Sequence, residues 1–136
     1  MQYYAHSGNN TDKSDWQNLD DHLLTVAAIA ETNAVHFEAG KISWLAGLLH
    51  DLGKYTPEFQ ARLEGAPKRV DHATAGAKIT SEFLPGHWSK LIAYAIAGHH
   101  TGLANGKGEG DNRRTLDARL KQEFGTGQGK LPCLDD

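Results

Sequence analysis

Apolar residues recur along this chain at the spacing of helices. Between Leu19 and Thr32 they fall at Leu19, Leu23, Val26, Ala27 and Ala30, the three-and-four rhythm of a helix with one buried face. His22 lies one turn before Val26, at the edge of that face. Ile42, Leu45, Ala46, Leu48 and Leu49 predict a second helix over 42–52, with Gly53 as its C′ residue. Thr56-Pro57 has the form of an N-cap followed by proline at the first helical position, and the short helix it opens would bury Phe59 and Leu63. A further helix starts at or beside Asp71 and runs to about Leu84. It presents His72, Ala75, Gly76, Ile79 and Phe83, and Pro85-Gly86 ends it. Trp88, Leu91, Ile92, Ala95, Ile96 and His99 form the clearest stripe, which predicts that His99 points inward. Thr101 to Asn112 is Gly-rich and polar and reads as a loop, Thr115 to Phe124 as a short helix, and Gly125 to Asp136 as a flexible tail. No segment alternates as a strand does, and no internal repeat is found. The expected fold class is all-α.

Composition narrows the field. The 136 residues fit one domain with one core, and 39% hydrophobic content excludes wholesale disorder. No stretch approaches the roughly 18–20 apolar residues of a membrane span, so no membrane partner is expected. The polar N-terminus lacks the apolar region of a signal peptide. Cys133 is the only cysteine, which rules out an intrachain disulfide and points to the cytoplasm. A net charge of −3 argues against an autonomous nucleic-acid clamp. It leaves open an enzyme acting on phosphates, because bound metal ions add positive charge that the residue count omits.

The chemistry lies in histidine. His22, the pair His50-Asp51, His72 and the pair His99-His100 each sit on or at the end of an expected helix. Imidazole and carboxylate are the usual ligands of divalent transition metals. Neighbours on a helix point about 100° apart, so both members of a pair reach one site only where the helix end abuts it. Asp51 has two oxygens and can serve two metals. A buried His-Asp pair has a structural alternative, a hydrogen-bonded core pair. A buried His-His pair has little such rationale, because each imidazole needs partners. His36 and His87 show no partner pattern and are read as structural. The glycines of Gly125 to Lys130 lack the spacing and the Ser/Thr of a phosphate loop, and no strand precedes them. Cys133 has no context for a catalytic thiol, and no Ser-His-Asp order has support.

The segment Gly47-Leu48-Leu49-His50-Asp51-Leu52-Gly53-Lys54 resembles the hallmark of the HD superfamily of metal-dependent phosphohydrolases, and so implies an HD-domain helical bundle with a metal site at its centre. One branch is matched in order by Tyr4-Ala5-His6-Ser7, by Trp16 to His22, by His50-Asp51, by Phe59-Gln60, by Asp71-His72-Ala73-Thr74-Ala75-Gly76 and by Gly98-His99-His100-Thr101-Gly102-Leu103. That branch is the HD nuclease domain of the type I CRISPR interference helicase-nuclease, and the resemblance covers about residues 3 to 124. It implies two divalent metals, one on His22, His50 and Asp51, the other on Asp51, His72, His99 and His100. It implies single-stranded DNA as substrate, and as partners a helicase domain or subunit and the RNA-guided CRISPR surveillance complex. Lys54 matches the family's lysine and would stabilise charge on the scissile phosphate or protonate the leaving group; its alternative is a solvated helix-end cation. His6 is assigned a supporting or substrate role.

One departure accompanies the resemblance. The family's further metal-ligating aspartate, downstream of the His-His pair, has no match: Asp111 and Asp117 stand in the wrong context, and Asp135 and Asp136 in the tail. The expectation is an HD nuclease-like domain over 1–124, truncated on its C-terminal side, with a tail over 125–136. Its first metal site would be weaker than its second. Ligation rich in histidine favours Mn, Fe, Co, Ni or Zn over Mg or Ca. Lys68, Arg69, Lys90, Arg113 and Arg114 are candidate contacts to a DNA backbone, with solvated surface charge as the alternative for each. Two other functions compete: an HD phosphohydrolase for small nucleotides or cyclic dinucleotides, and a non-catalytic metal-binding docking module.

Overall fold

Asn18 starts the first helix. Its extended backbone aims the side-chain oxygen at the N–H groups of Asp20 and Asp21, at 2.8 and 3.2 Å. These are donors that a helix leaves unsatisfied at its start. The computed structural model describes residues 2–106 and 115–121. Within them run α1 (Leu19–Ala34), α2 (Gly40–Leu49), α3 (Pro57–Leu63), α4 (Ala73–Phe83), α5 (His87–Gly98) and α6 (Leu116–Leu120). The all-α expectation holds. No described helix is long and apolar enough to cross a membrane. The expected tail, the phosphate-loop candidate and Cys133 lie outside the described residues.

Two apolar clusters form the core. Ala5, Leu19, Leu23, Leu52 and Tyr55 make one, and Ala77, Ile92, Ala93, Ile96, Ala97 and Leu116 the other. Leu49, the last residue of α2, packs against both. The His50-Asp51 turn that follows it is therefore wedged between the two halves of the core.

The second helix ends three residues sooner than its periodicity predicts. His50 still has helical dihedrals, but Asp51 leaves the helix at φ −114° and ψ 20°, and Leu52–Tyr55 form a 3₁₀ turn. Gly53 is thus not a helix terminator. It is the point where this turn touches the residue before α4, since a Cβ there would overlap the His72 backbone. Gly76 does the same one helix turn on: a Cβ would run into the Leu49 carbonyl. These two contacts press the start of α4 onto the end of α2.

Thr56 caps α3 as expected, accepting from the Phe59 N–H at 3.4 Å. The expected stripe of α5 is rotated. Ser89, Ile92, Ala93, Ile96 and Ala97 are buried, whereas Trp88 and Leu91 are 62% and 57% exposed. On α4, likewise, Phe83 is 72% exposed while Ala73 to Ala77 are buried. Both stripes on α5 share Ile92 and Ile96. The one that wins carries alanines, because α4 also offers small residues there and close-set backbones gain more contact than large side chains at the rim.

Two short strands were not expected. Tyr4–His6 (β1) pairs antiparallel with Gln17–Asn18 (β2), and neither is long enough to show alternation. Gln60 ties β1 to the core, accepting from Tyr4 N–H at 3.1 Å and donating to Tyr4 O at 3.0 Å and Lys54 O at 2.7 Å. The strand thereby places the Ala5 carbonyl over Lys54.

Gly76→Ala tests the contact between α2 and α4. Alanine is favoured over glycine inside a helix by about 1 kcal/mol, yet the obstacle here is a backbone carbonyl that cannot rotate away. The variant is expected to lose about 1–3 kcal/mol of stability in urea unfolding. Equal or greater stability would contradict this geometry.

Candidate metal centre

Asp51 is 2% exposed, and each of its carboxylate oxygens faces a different set of histidines. Oδ2 lies 3.2 Å from His22 Nε2 and 3.1 Å from His50 Nε2. Oδ1 lies 3.3 Å from His72 Nε2 and 3.4 Å from His99 Nε2. His100 joins the second set through His72, with the two Nε2 atoms 2.8 Å apart. His22 comes from the first turn of α1 and His50 from the residue after α2. His72 immediately precedes α4, and His99 and His100 follow α5. Four helix ends thus meet at one carboxylate.

Backbone carbonyls fix how two of the rings are presented. The Gly47 carbonyl accepts from His50 Nδ1 at 2.6 Å, and the Ile96 carbonyl accepts from His99 Nδ1 at 2.7 Å. A carbonyl only accepts, so in both neutral rings the proton is on Nδ1 and the Nε2 lone pair points inward. Each lone pair then faces an anionic carboxylate. That arrangement is repulsive unless a cation lies between them, a proton on the ring or a metal ion. Asp51 Oδ1 and His72 Nδ1 are also buried without a hydrogen-bond partner, although ring nitrogens surround the first. Two groups, His22–His50–Asp51 and Asp51–His72–His99–His100, have ligand atoms within 4.8 Å of one another. The donor set, imidazole nitrogen with one carboxylate, fits divalent transition metals.

The electrostatics favour ligand-ready rings. Burial lowers the pKa of His72 to about 4, against the pull of Asp51. Burial also lowers His6, His22 and His100, with the nearby Lys54 and neighbouring histidines adding to it. These rings are therefore held neutral. Burial also acts on His99, but the anionic Asp51 beside its Nε2 and the Ile96 carbonyl at its Nδ1 outweigh it and raise the pKa, favouring a proton between ring and carboxylate when no metal is there. Burial alone would raise the pKa of Asp51. The His50 and His99 rings and the Lys54 ammonium beside it outweigh that and keep the carboxylate ionised.

Lys54 is not a solvated cation. Its side chain is 4% exposed, with Nζ 2.8 Å from Asp51 Oδ2 and donating to Ala5 O at 3.0 Å. It also lies over the Phe59 ring, 5.3 Å from the centroid. The ammonium is committed to Asp51 and to β1. His6 is exposed at the rim, its ring 5.2 Å from that of His22. His36 and His87 are exposed and stand outside the cluster.

A cavity of about 1110 Å³ opens beside His72 and His100, with Phe59, Arg62, Arg69 and Arg119 among its lining. Of the candidate DNA contacts, Arg69 borders this cavity, Lys68 and Lys90 are exposed, and Arg113 and Arg114 lie outside the described residues. Asp117 sits in the first turn of α6 and does not join the cluster. Asp111, Asp135 and Asp136 lie outside the described residues. The sequence reading missed Arg62 and Arg119, because nothing about a lone arginine signals which cavity it borders. Asp71 carried a signal, the Asp-x-x-Thr pattern of a helix cap. Its carboxylate accepts from the N–H of Ala73 and Thr74, both at 3.1 Å.

Residues 19–124 match the family model described as HD domain, a span that contains all six histidine and aspartate positions of the two groups. No curated protein matches the chain.

The lowered pKa values set the pH dependence of the metal-free protein. His6, His22, His72 and His100 bind protons more weakly folded than unfolded. Their contribution is complete above about pH 6.5, the unfolded value. It is lost as the pH falls through the folded values, with His72 extending the window to about 4. His99 has the opposite sign, contributing most below its raised pKa and losing that contribution as the pH rises through it. Thermal unfolding of chelator-treated protein is expected to show a melting temperature that drops steadily between pH 6.5 and 4. A flat profile across that interval would contradict the lowered pKa of His72.

Proposed function

This chain belongs to the HD domain family, and from that membership we propose that it is a metal-dependent nuclease cutting single-stranded DNA in a type I CRISPR interference system. Metal-dependent phosphohydrolase chemistry comes with the family. One observation carries the reading to a two-ion phosphodiesterase: a single buried carboxylate whose two oxygens face two separate sets of imidazoles. His22, His50 and Asp51 would hold one ion, and Asp51, His72, His99 and His100 the other. The ions, drawn from Mn, Fe, Co, Ni or Zn, would acidify a water molecule and offset the charge that builds on a phosphodiester.

The chain's own residues supply the rest. Asp51 accepts charge from both sides and aligns the two sets. His50 and His99 are oriented by the Gly47 and Ile96 carbonyls, so these two rings do not have to turn when a ligand arrives. Lys54 offsets the buried negative charge of Asp51, and we assign it that role rather than proton donation to a leaving group. Arg62 and Arg69 flank the cavity at the open side of the second set, where phosphates of a polymer would run. The CRISPR context rests on the ordered motifs from Tyr4 to Leu103. A helicase domain or subunit, recruited to the RNA-guided surveillance complex, would deliver the single strand and supply most of the grip on it. This reconciles an acidic chain with a DNA substrate.

The test is cleavage by the metal-loaded protein of single-stranded DNA in competition with a panel of nucleotides and cyclic dinucleotides. Metal-dependent cutting of the DNA is expected, falling to background in Asp51→Ala. Undiminished cutting by that variant would overturn the proposal. Preferential hydrolysis of a nucleotide would replace the substrate, and no hydrolysis with less than one metal ion per chain would leave a docking module.

A further inference from the structure

The second set of histidines comes from two different helix ends. His72 precedes α4, and His99 and His100 follow α5. The packed alanines bring α4 and α5 together, and among the described residues no backbone hydrogen bond adds a directional tie between these two ends. Arg119, from α6, reaches both ends. Its Nε donates to Thr74 Oγ1 at 3.0 Å, one of its terminal nitrogens donates to the Ala97 carbonyl, and the other lies 3.3 Å from Asp71 Oδ2. Thr74 passes the chain on, donating to Asp71 Oδ2 at 2.6 Å. Asp71 in turn caps the first turn of α4 right beside His72. Ala97 lies two residues before His99. The arginine side chain is only 12% exposed while that of Asp71 is 47% exposed, so the bonds to Thr74 and Ala97 are the sheltered ones, where charge-assisted bonds are strongest.

We propose that Arg119 is a positioning residue for the second metal set: it staples the start of α4 to the end of α5 and so fixes the separation of His72 from His99 and His100. The inference rests on reading the cluster as a metal site, but its geometry exists without metal. Arginine suits the task because its planar fork serves three acceptors at fixed angles, whereas lysine offers one point charge. The first set is further from this staple, because His22 and His50 are carried by α1 and α2 and meet the second set only at Asp51 and at the His50–His99 ring contact.

Two measurements test it. In metal-free protein, the imidazole nitrogen resonances are compared between wild type and Arg119→Gln. Those of His72, His99 and His100 are expected to shift or broaden, that of His50, whose ring touches His99, to move less, and that of His22 to stay. In the second, cobalt(II) titration follows each set, with His22→Ala as the background that isolates the second. Arg119→Gln is expected to weaken the second set about 10–100-fold, the range typical of groups that orient ligands, and to change the first by less than about threefold. Asp71→Asn guards against misfolding, since asparagine still caps α4 but removes the arginine's anionic partner; a smaller loss confined to the same set is expected, and Arg119→Lys should restore only part of it. Equal disturbance of both sets, or of neither, would overturn the staple. A wild type that takes up no cobalt would refute the metal reading alone, and the resonance comparison would still decide for or against Arg119.

Discussion

A carboxylate ion shut away from water is the constraint around which this molecule is arranged. Taking such an ion into a protein interior costs several kcal/mol unless partners replace its hydration. Asp51 has a buried ammonium at 2.8 Å and four ring nitrogens within 3.4 Å. One positive charge from Lys54 balances its single negative charge, so the rings are not needed for neutrality. They are there in excess, and at least two of them present lone pairs. An excess of lone pairs around a satisfied anion has no structural benefit. It is the expected arrangement where further cations bind.

The scaffold serves that convergence through its backbone. Side chains as short as those of aspartate and histidine reach one point only if the helix ends that carry them nearly touch. Gly53 and Gly76 allow the end of α2 to lie against the start of α4, and the alanines of α4 and α5 let those helices run close together. Early termination of α2 belongs to the same requirement. A helix continued through Leu52 would have turned Asp51 about 100° from His50. At the helix end the two side chains meet, His50 Nε2 lying 3.1 Å from Asp51 Oδ2, and the chain leaves in a 3₁₀ turn. Lys54, on that turn, then falls directly beneath the carboxylate.

The two histidine sets differ in exposure. The side chains of His22 and His50 are 13% and 15% exposed, those of His72 and His99 17% and 22%. The second set borders the cavity with its arginines. His72 and His100 line that cavity, whereas the first set is defined by α1 and the strand that lies across Lys54.

Much of this was legible in the residue order. Periodicity located the helices because burial of one helix face imposes it locally, and Thr56-Pro57 acts through bonds a few residues long. The histidines and Asp51 were conspicuous by type and by pairing, since two adjacent imidazoles have no ordinary role in a core. What the sequence could not contain was distance. Which stripe of α5 turns inward depended on the small residues of α4 opposite it. Whether Lys54 lies in solvent or under Asp51 depended on a strand of three residues with no periodicity to announce it. The division of one carboxylate between two histidine sets, and the reach of Arg119 to both helix ends, arise from segments far apart in the chain. Local patterns are written by each segment's own burial, whereas a shared site exists only once separate segments have been packed against each other.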